Sequence, residues 1–92
     1  MRNMLIQILY HPHSEHARQV EQYKRDFERS QNTGEIELVS LETRDGADIA
    51  RLYDIVRYPA VLAITETDKK LMKLWQDEKL PLMSEVASYA RR

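Results

Sequence analysis

The chain contains no cysteine. That absence excludes disulfide staples and makes a secreted, cross-linked mini-fold an unsuitable reading. It also excludes thiol–disulfide exchange, which requires a thiolate as nucleophile. Charge of one sign is missing too. Fourteen Lys and Arg face fifteen Asp and Glu, for a net charge of −1. Such a balance offers no electrostatic footprint for nucleic acid or for an anionic membrane surface. No apolar run approaches the roughly 18 residues of a membrane span, and no cleavable leader pattern follows the first residues. The expected location is therefore cytoplasmic. Two glycines and three prolines leave no linker and no low-complexity tract. What remains is ordinary globular material. A hydrophobic fraction of 42% with one Trp, one Phe and five Tyr among 92 residues is enough for one core, so residues 1–92 read as a single domain.

Met4-Leu5-Ile6-Gln7-Ile8-Leu9-Tyr10 is nearly all apolar and stops just before Pro12, as a strand buried on both faces does. Ser14 is a suitable helix N-cap. After it Ala17, Val20, Tyr23 and Phe27 recur at steps of three and four residues among charged neighbours, which predicts an amphipathic helix with one core face. Asn32-Thr33-Gly34 is expected to close the connection to a second strand, Ile36 to Leu41. Strand, helix and strand then form a parallel crossover unit. Asp45-Gly46 reads as a turn. Ala47 to Asp54 read as a short helix burying Ile49, Ala50, Leu52 and Tyr53. Ala60 to Ile64 is a third strand, Thr65 to Lys69 a polar turn, and Leu71 to Trp75 a fourth strand closing a hairpin. Pro81 is suited to begin a last helix, with Leu82, Val86 and Tyr89 on its core face.

The segment from Leu52 through Tyr53-Asp54-Ile55 to Tyr58-Pro59-Ala60-Val61 runs from a helix end through a turn to a buried strand entered by a proline. It resembles the cis-proline region of thioredoxins and glutaredoxins, and the whole order βαβαββα is similar to the glutaredoxin-type minimal fold over residues 4–90. The resemblance implies a three-layer α/β fold with a four-stranded mixed sheet in the order 2-1-3-4. Val20, Tyr23 and Phe27 follow Ala17 at the spacing with which core residues follow the second active-site cysteine in those families. On that register Ser14-Glu15-His16-Ala17 occupies the place of the Cys-x-x-Cys site. The chain is thus a degenerate member by resemblance. A serine hydroxyl in the nucleophile position stays protonated and forms no mixed disulfide, while the helix start keeps its N–H donors and partial positive charge.

By the same resemblance the backbone of Tyr58, ahead of Pro59, is expected to pair with an extended peptide or with glutathione. Ser14, Glu15, His16, Tyr58 and Pro59 are the candidate binding groove. His11, His13 and His16, with Glu15 nearby, are metal-ligand types, but their spacing matches no standard zinc pattern and no metal or other cofactor is assigned. Ser14 with a neighbouring histidine is a poor hydrolase constellation, since adjacent loop residues rarely reach the mutual geometry required, and no catalytic residue is assigned. Trp75 reads either as an exposed anchor on the outer strand or as packing against the last helix, and Lys73 as a charge guarding that edge.

The expected function is a redox-inactive interaction module that binds an as yet unidentified protein or peptide, not an enzyme of thiol chemistry. A small ligand or a metal such as zinc or nickel at the histidine loop and helix start is the alternative. Similarity to the circadian clock protein KaiB, which has a cysteine-free thioredoxin-like state and switches fold, is a minor one. Neither oligomeric state nor partner is legible.

Overall fold

Seven elements follow one another in a computed structural model that describes residues 4–30, 35–76 and 79–90. They are β1 (Met4–Tyr10), α1 (Ala17–Ser30), β2 (Ile36–Ser40), α2 (Arg44–Leu52), β3 (Ala60–Thr65), β4 (Leu71–Trp75) and α3 (Met83–Ala90). The expected connection at Asn32-Thr33-Gly34 lies outside the described residues.

β1 is the centre of the molecule. It pairs in parallel with β2, from Ile6 opposite Ile36 to Tyr10 opposite Ser40, and antiparallel with β3, from Met4 opposite Thr65 to Leu9 opposite Ala60. β4 completes the sheet on the far side of β3, giving the order β2-β1-β3-β4. The alternating side-chain directions of these strands divide the core in two. Ile6, Ile8, Val61 and Ala63 point to one face, where Val20, Tyr23 and Phe27 of α1 and Val86 and Ala87 of α3 cover them. Leu9, Ala60, Leu62 and Ile64 point to the other, where Ile49 and Ala50 of α2 and Ile55 close the layer. A sheet covered on both faces needs strands that are apolar at every position, which is why β1 and β3 show little alternation.

Three helix starts differ from the sequence expectation. Ser14 is not the cap of α1. The helix begins at Ala17, with the His16 carbonyl accepting the Val20 N–H at 3.0 Å. α2 begins earlier than expected, because Thr43 is its N-cap and accepts the Gly46 N–H at 3.0 Å. Asp45 and Gly46 therefore lie in the first helical turn instead of forming a turn of their own. Asp45 suits the positive end of the helix dipole. Gly46 is required there by space, since a Cβ would meet the Ser40 carbonyl oxygen at 2.0 Å. Pro81 precedes α3 by two residues, and the Leu82 carbonyl takes the first N–H groups of that helix.

Two side chains expected in the core are outside it. Leu52, the last residue of α2, is 72% exposed, and Leu82, the residue before α3, is 73% exposed. Tyr89 is half-buried as expected. Trp75 packs against α3: its ring stands edge-on to Tyr89 at 5.5 Å and its indole N–H donates to Glu85 at 3.0 Å. Lys73 on the same strand is exposed, with its ammonium 5.9 Å from the centre of the Trp75 ring.

α2 ends in a turn that aims the segment leading to the site. Asp54 has a φ of 54°, in the left-handed region. The Asp54 N–H reaches the Arg51 carbonyl at 3.3 Å and the Ile55 N–H the Ala50 carbonyl at 2.8 Å, the paired bonds of a Schellman motif. Ile55 then packs with Ala50 in the second core layer, the hydrophobic contact that accompanies such a cap.

Candidate functional site

Two segments far apart in sequence meet at the end of the sheet where β1 stops and β3 starts. The first is the loop 11–16. Its shape comes from hydrogen bonds to the backbone of His11. The Ser14 N–H and hydroxyl both donate to the His11 carbonyl, at 3.1 and 2.6 Å. The His11 N–H donates to Nε2 of His16 at 3.1 Å. His16 is thus fixed as an acceptor at this nitrogen, and its ring lies 6.0 Å from that of His11 and 6.5 Å from that of Tyr10. Partial burial and, next, the charge of His11 lower the His16 pKa below the usual 6.5.

The second segment is 55–59. The Tyr58 hydroxyl donates to the Ile55 carbonyl at 2.7 Å, folding the ring over its own turn, and burial raises its pKa. The His11 ring stands edge-on against Tyr58 at 5.3 Å. The N–H groups of Val56 and Arg57 both approach Oε1 of Gln76, at 3.3 and 3.4 Å, which ties this segment to the residue after β4. The Tyr58–Pro59 peptide bond is cis, and Pro59 is buried at the start of β3. The backbone N–H and C=O of Tyr58 have no hydrogen-bond partner among the described residues.

Ser14, Glu15, His16, Tyr58 and Pro59 together line an open depression of about 390 Å³. Across the His11–Tyr58 pair is a second of about 450 Å³, whose floor includes Leu41, Ala47, Ala50 and Ile55. The histidines do not converge. His13 turns away to Glu42 at 3.5 Å, both exposed, while Nε2 of His16 is occupied by a backbone N–H. Among the described residues no group of three or more His, Asp or Glu side chains is placed to hold a metal ion. Ser14 Oγ gives its proton to a backbone carbonyl, and no histidine is positioned as its base. The contribution of Gln76 was invisible to sequence reasoning, because nothing in the residues after Trp75 marks a side chain that reaches back across the sheet.

The arrangement of strands and helices recurs in solved proteins. The solution structure of oxidised thioredoxin from Plasmodium falciparum superposes with a TM-score of 0.72, over 96% of this chain and 82% of that one, at 8% identity. The fold is thioredoxin-like. The first two thioredoxin domains of Saccharomyces cerevisiae Eps1p also match, with a TM-score of 0.54 and 13% identity over 98% of this chain and 34% of that longer one. No protein-family model matches the chain, and no curated protein matches its sequence. At such identities the likeness carries the fold alone. Within the thioredoxin-like fold this chain brings no cysteine to any position, so it cannot supply the thiolate of dithiol exchange.

Proposed function

We propose that this chain is a redox-inactive thioredoxin-like module that binds an extended segment of another protein in the depression between the loop 11–16 and Tyr58-Pro59. The observation that carries the reading is the unpaired backbone of Tyr58. Its N–H and C=O have no partner among the described residues, although the ring of the same residue is held at both ends, by Ile55 and by His11. A strand-like peptide gains its affinity from main-chain bonds to such an edge and its selectivity from neighbouring pockets. Those pockets are the depression at Ser14 to His16 and the apolar one beyond His11. Val56, 72% exposed, adds apolar surface on the same segment.

The chemistry at the position of the lost thiol agrees with binding without turnover. The Ser14 hydroxyl is tied to a backbone carbonyl, and Nε2 of His16 is tied to a backbone N–H. The second bond weighs against the metal alternative, since it occupies one ring nitrogen of His16, and His13 turns away to Glu42.

Selection from a displayed library of extended peptides tests the proposal. Selected peptides should bind the wild-type protein and lose at least about tenfold in affinity to Tyr58→Asp, a change that sets a charge beside the edge, with the variant's circular dichroism unchanged. Recovery of no peptide, or equal binding by both proteins, counts against it.

A further inference from the structure

The outer edge of β2 carries a second candidate surface. Among the described residues β2 is an edge strand of the sheet, paired only with β1. Backbone groups alternate sides along a strand. Leu41 donates its N–H inward to the Tyr10 carbonyl at 3.0 Å, so residues 39 and 37 also face β1, while Ile36, Leu38 and Ser40 direct their backbone groups outward. Two of those outward groups are engaged. The Ile36 N–H donates to the Glu28 carboxylate at 3.0 Å, and the Ser40 carbonyl accepts from the Thr43 N–H at 3.2 Å and its hydroxyl at 2.7 Å. Between them the N–H and C=O of Leu38 have no partner among the described residues. Such groups are a template for a further extended chain.

Beside this edge, on the face that α2 covers, lies an open depression of about 480 Å³ with Val39 and Ile49 among its apolar walls. Its charged groups are all acceptors: Glu37, Asp45 and Asp48. Asp48 is paired with Arg51 at 2.9 Å, but Asp45 has no ion pair among the described residues, and Glu37 receives only the uncharged amide of Gln7, at 2.7 Å. Gln7 is the unexpected residue. It lies on the central strand and is 7% exposed. Because a carboxylate only accepts, the amide nitrogen must face Glu37, and the amide oxygen is left with no donor among the described residues. A buried polar atom without a partner is uncommon. The group that this set of acceptors lacks is a positively charged donor.

We propose that the free edge of β2 and this depression dock an extended, basic segment of another protein, with its backbone on Leu38 and an Arg or Lys among Gln7, Glu37 and Asp45. A second copy of this chain is disfavoured by charge, because symmetric pairing of β2 with β2 brings two sets of the same carboxylates together at one edge. The other edge is less receptive. β4 carries the exposed Lys73, and its register with β3 is broken between Ala63 and Ile64, both of which deter pairing. The two sites share no lining residue, so failure of one leaves the other standing.

The test is titration of the nitrogen-15-labelled protein with the peptide Ac-Thr-Arg-Val-Arg-Thr-amide and its counterpart with Glu for Arg. The basic peptide should shift the amides of Leu38 and Ser40 and the side-chain amide of Gln7. Its affinity should fall at least about tenfold in Glu37→Gln/Asp45→Asn, and fall again at high salt. Asp45→Ser, which keeps a small polar residue in the first turn of α2, should show the same trend if the double variant folds poorly. Shifts confined to other elements, equal affinity for a folded variant, equal binding of the acidic peptide, or formation of a β2-to-β2 dimer would overturn the proposal.

Discussion

Gly46→Ala sets two ordinary rules against each other. In an exposed helix this change stabilises by about 1 kcal/mol, because alanine loses less backbone entropy. Here the added Cβ would stand 2.0 Å from the Ser40 carbonyl oxygen, 2.8 Å from its carbon and 3.2 Å from the Leu41 Cα, all backbone atoms. The oxygen is roughly 1.4 Å too close for the 3.4 Å at which ordinary contact begins. Neither side yields freely. That carbonyl holds the Thr43 N–H and hydroxyl at 3.2 and 2.7 Å, and Leu41 is bonded to Tyr10 at 3.0 Å. Withdrawing α2 would strip Ile49 and Ala50 from the second core layer. Overpacking of this kind costs about 1–3 kcal/mol, and each hydrogen bond lost costs about 1 kcal/mol more. The net expectation is destabilisation by roughly 2–4 kcal/mol, large against the roughly 5–10 kcal/mol of a domain of this size. Thermal midpoints of small domains move by about 4–8 °C per kcal/mol, so a fall of about 10 °C or more should follow. Urea unfolding followed by fluorescence of Trp75, the single tryptophan, reads it directly. A midpoint unchanged or raised would refute the packing argument.

Other expectations come from single interactions. Tyr23→Phe keeps the ring stacked on Phe27 but removes the donor to the Pro81 carbonyl at 2.8 Å, and should cost about 1 kcal/mol in urea unfolding. Asp54→Gly should raise stability by roughly 0.5–1 kcal/mol, because glycine occupies the left-handed region at φ 54° without a Cβ penalty, whereas Asp54→Val should lower it. The His16 pKa is lowered on folding, so the unfolded chain binds more protons than the folded one between the depressed value and 6.5. Stability should therefore rise with pH through that window and be flat above it. The pH slope of urea unfolding should shrink in His16→Gln, and an unchanged slope would show that burial of His16 beside His11 has no such effect.

What the residues disclosed depended on whether a pattern is local. The run Met4 to Tyr10, the α1 face through Val20, Tyr23 and Phe27, and the proline opening β3 each carry their own signal, and the order of elements followed from them. The errors lie where a neighbour decides. Asp45-Gly46 looks like a turn until the Ser40 carbonyl is known to press on Gly46. Leu52 and Leu82 fit a helical period, yet Leu52 is the last residue of α2 and Leu82 precedes α3, and both are exposed. Ser14 is a good cap by type, but its hydroxyl is taken by His11, so the helix starts three residues later. Gathering of Ser14, Glu15, His16, Tyr58 and Pro59 into one depression was legible through the proline and the resemblance it supports. The clamp of His16 on the His11 N–H and the reach of Gln76 to Val56 were not, since each depends on a loop shape that no residue type announces.

The central claim is that an extended peptide lies along Tyr58 beside the loop 11–16. Mapping of backbone amide shifts, with a selected peptide added to the nitrogen-15-labelled protein, tests it most directly. The account predicts the largest changes at Ser14, Glu15, His16 and Tyr58, with the Tyr58 amide moving downfield as it gains a hydrogen bond. Changes centred elsewhere, with Tyr58 unmoved, would contradict it.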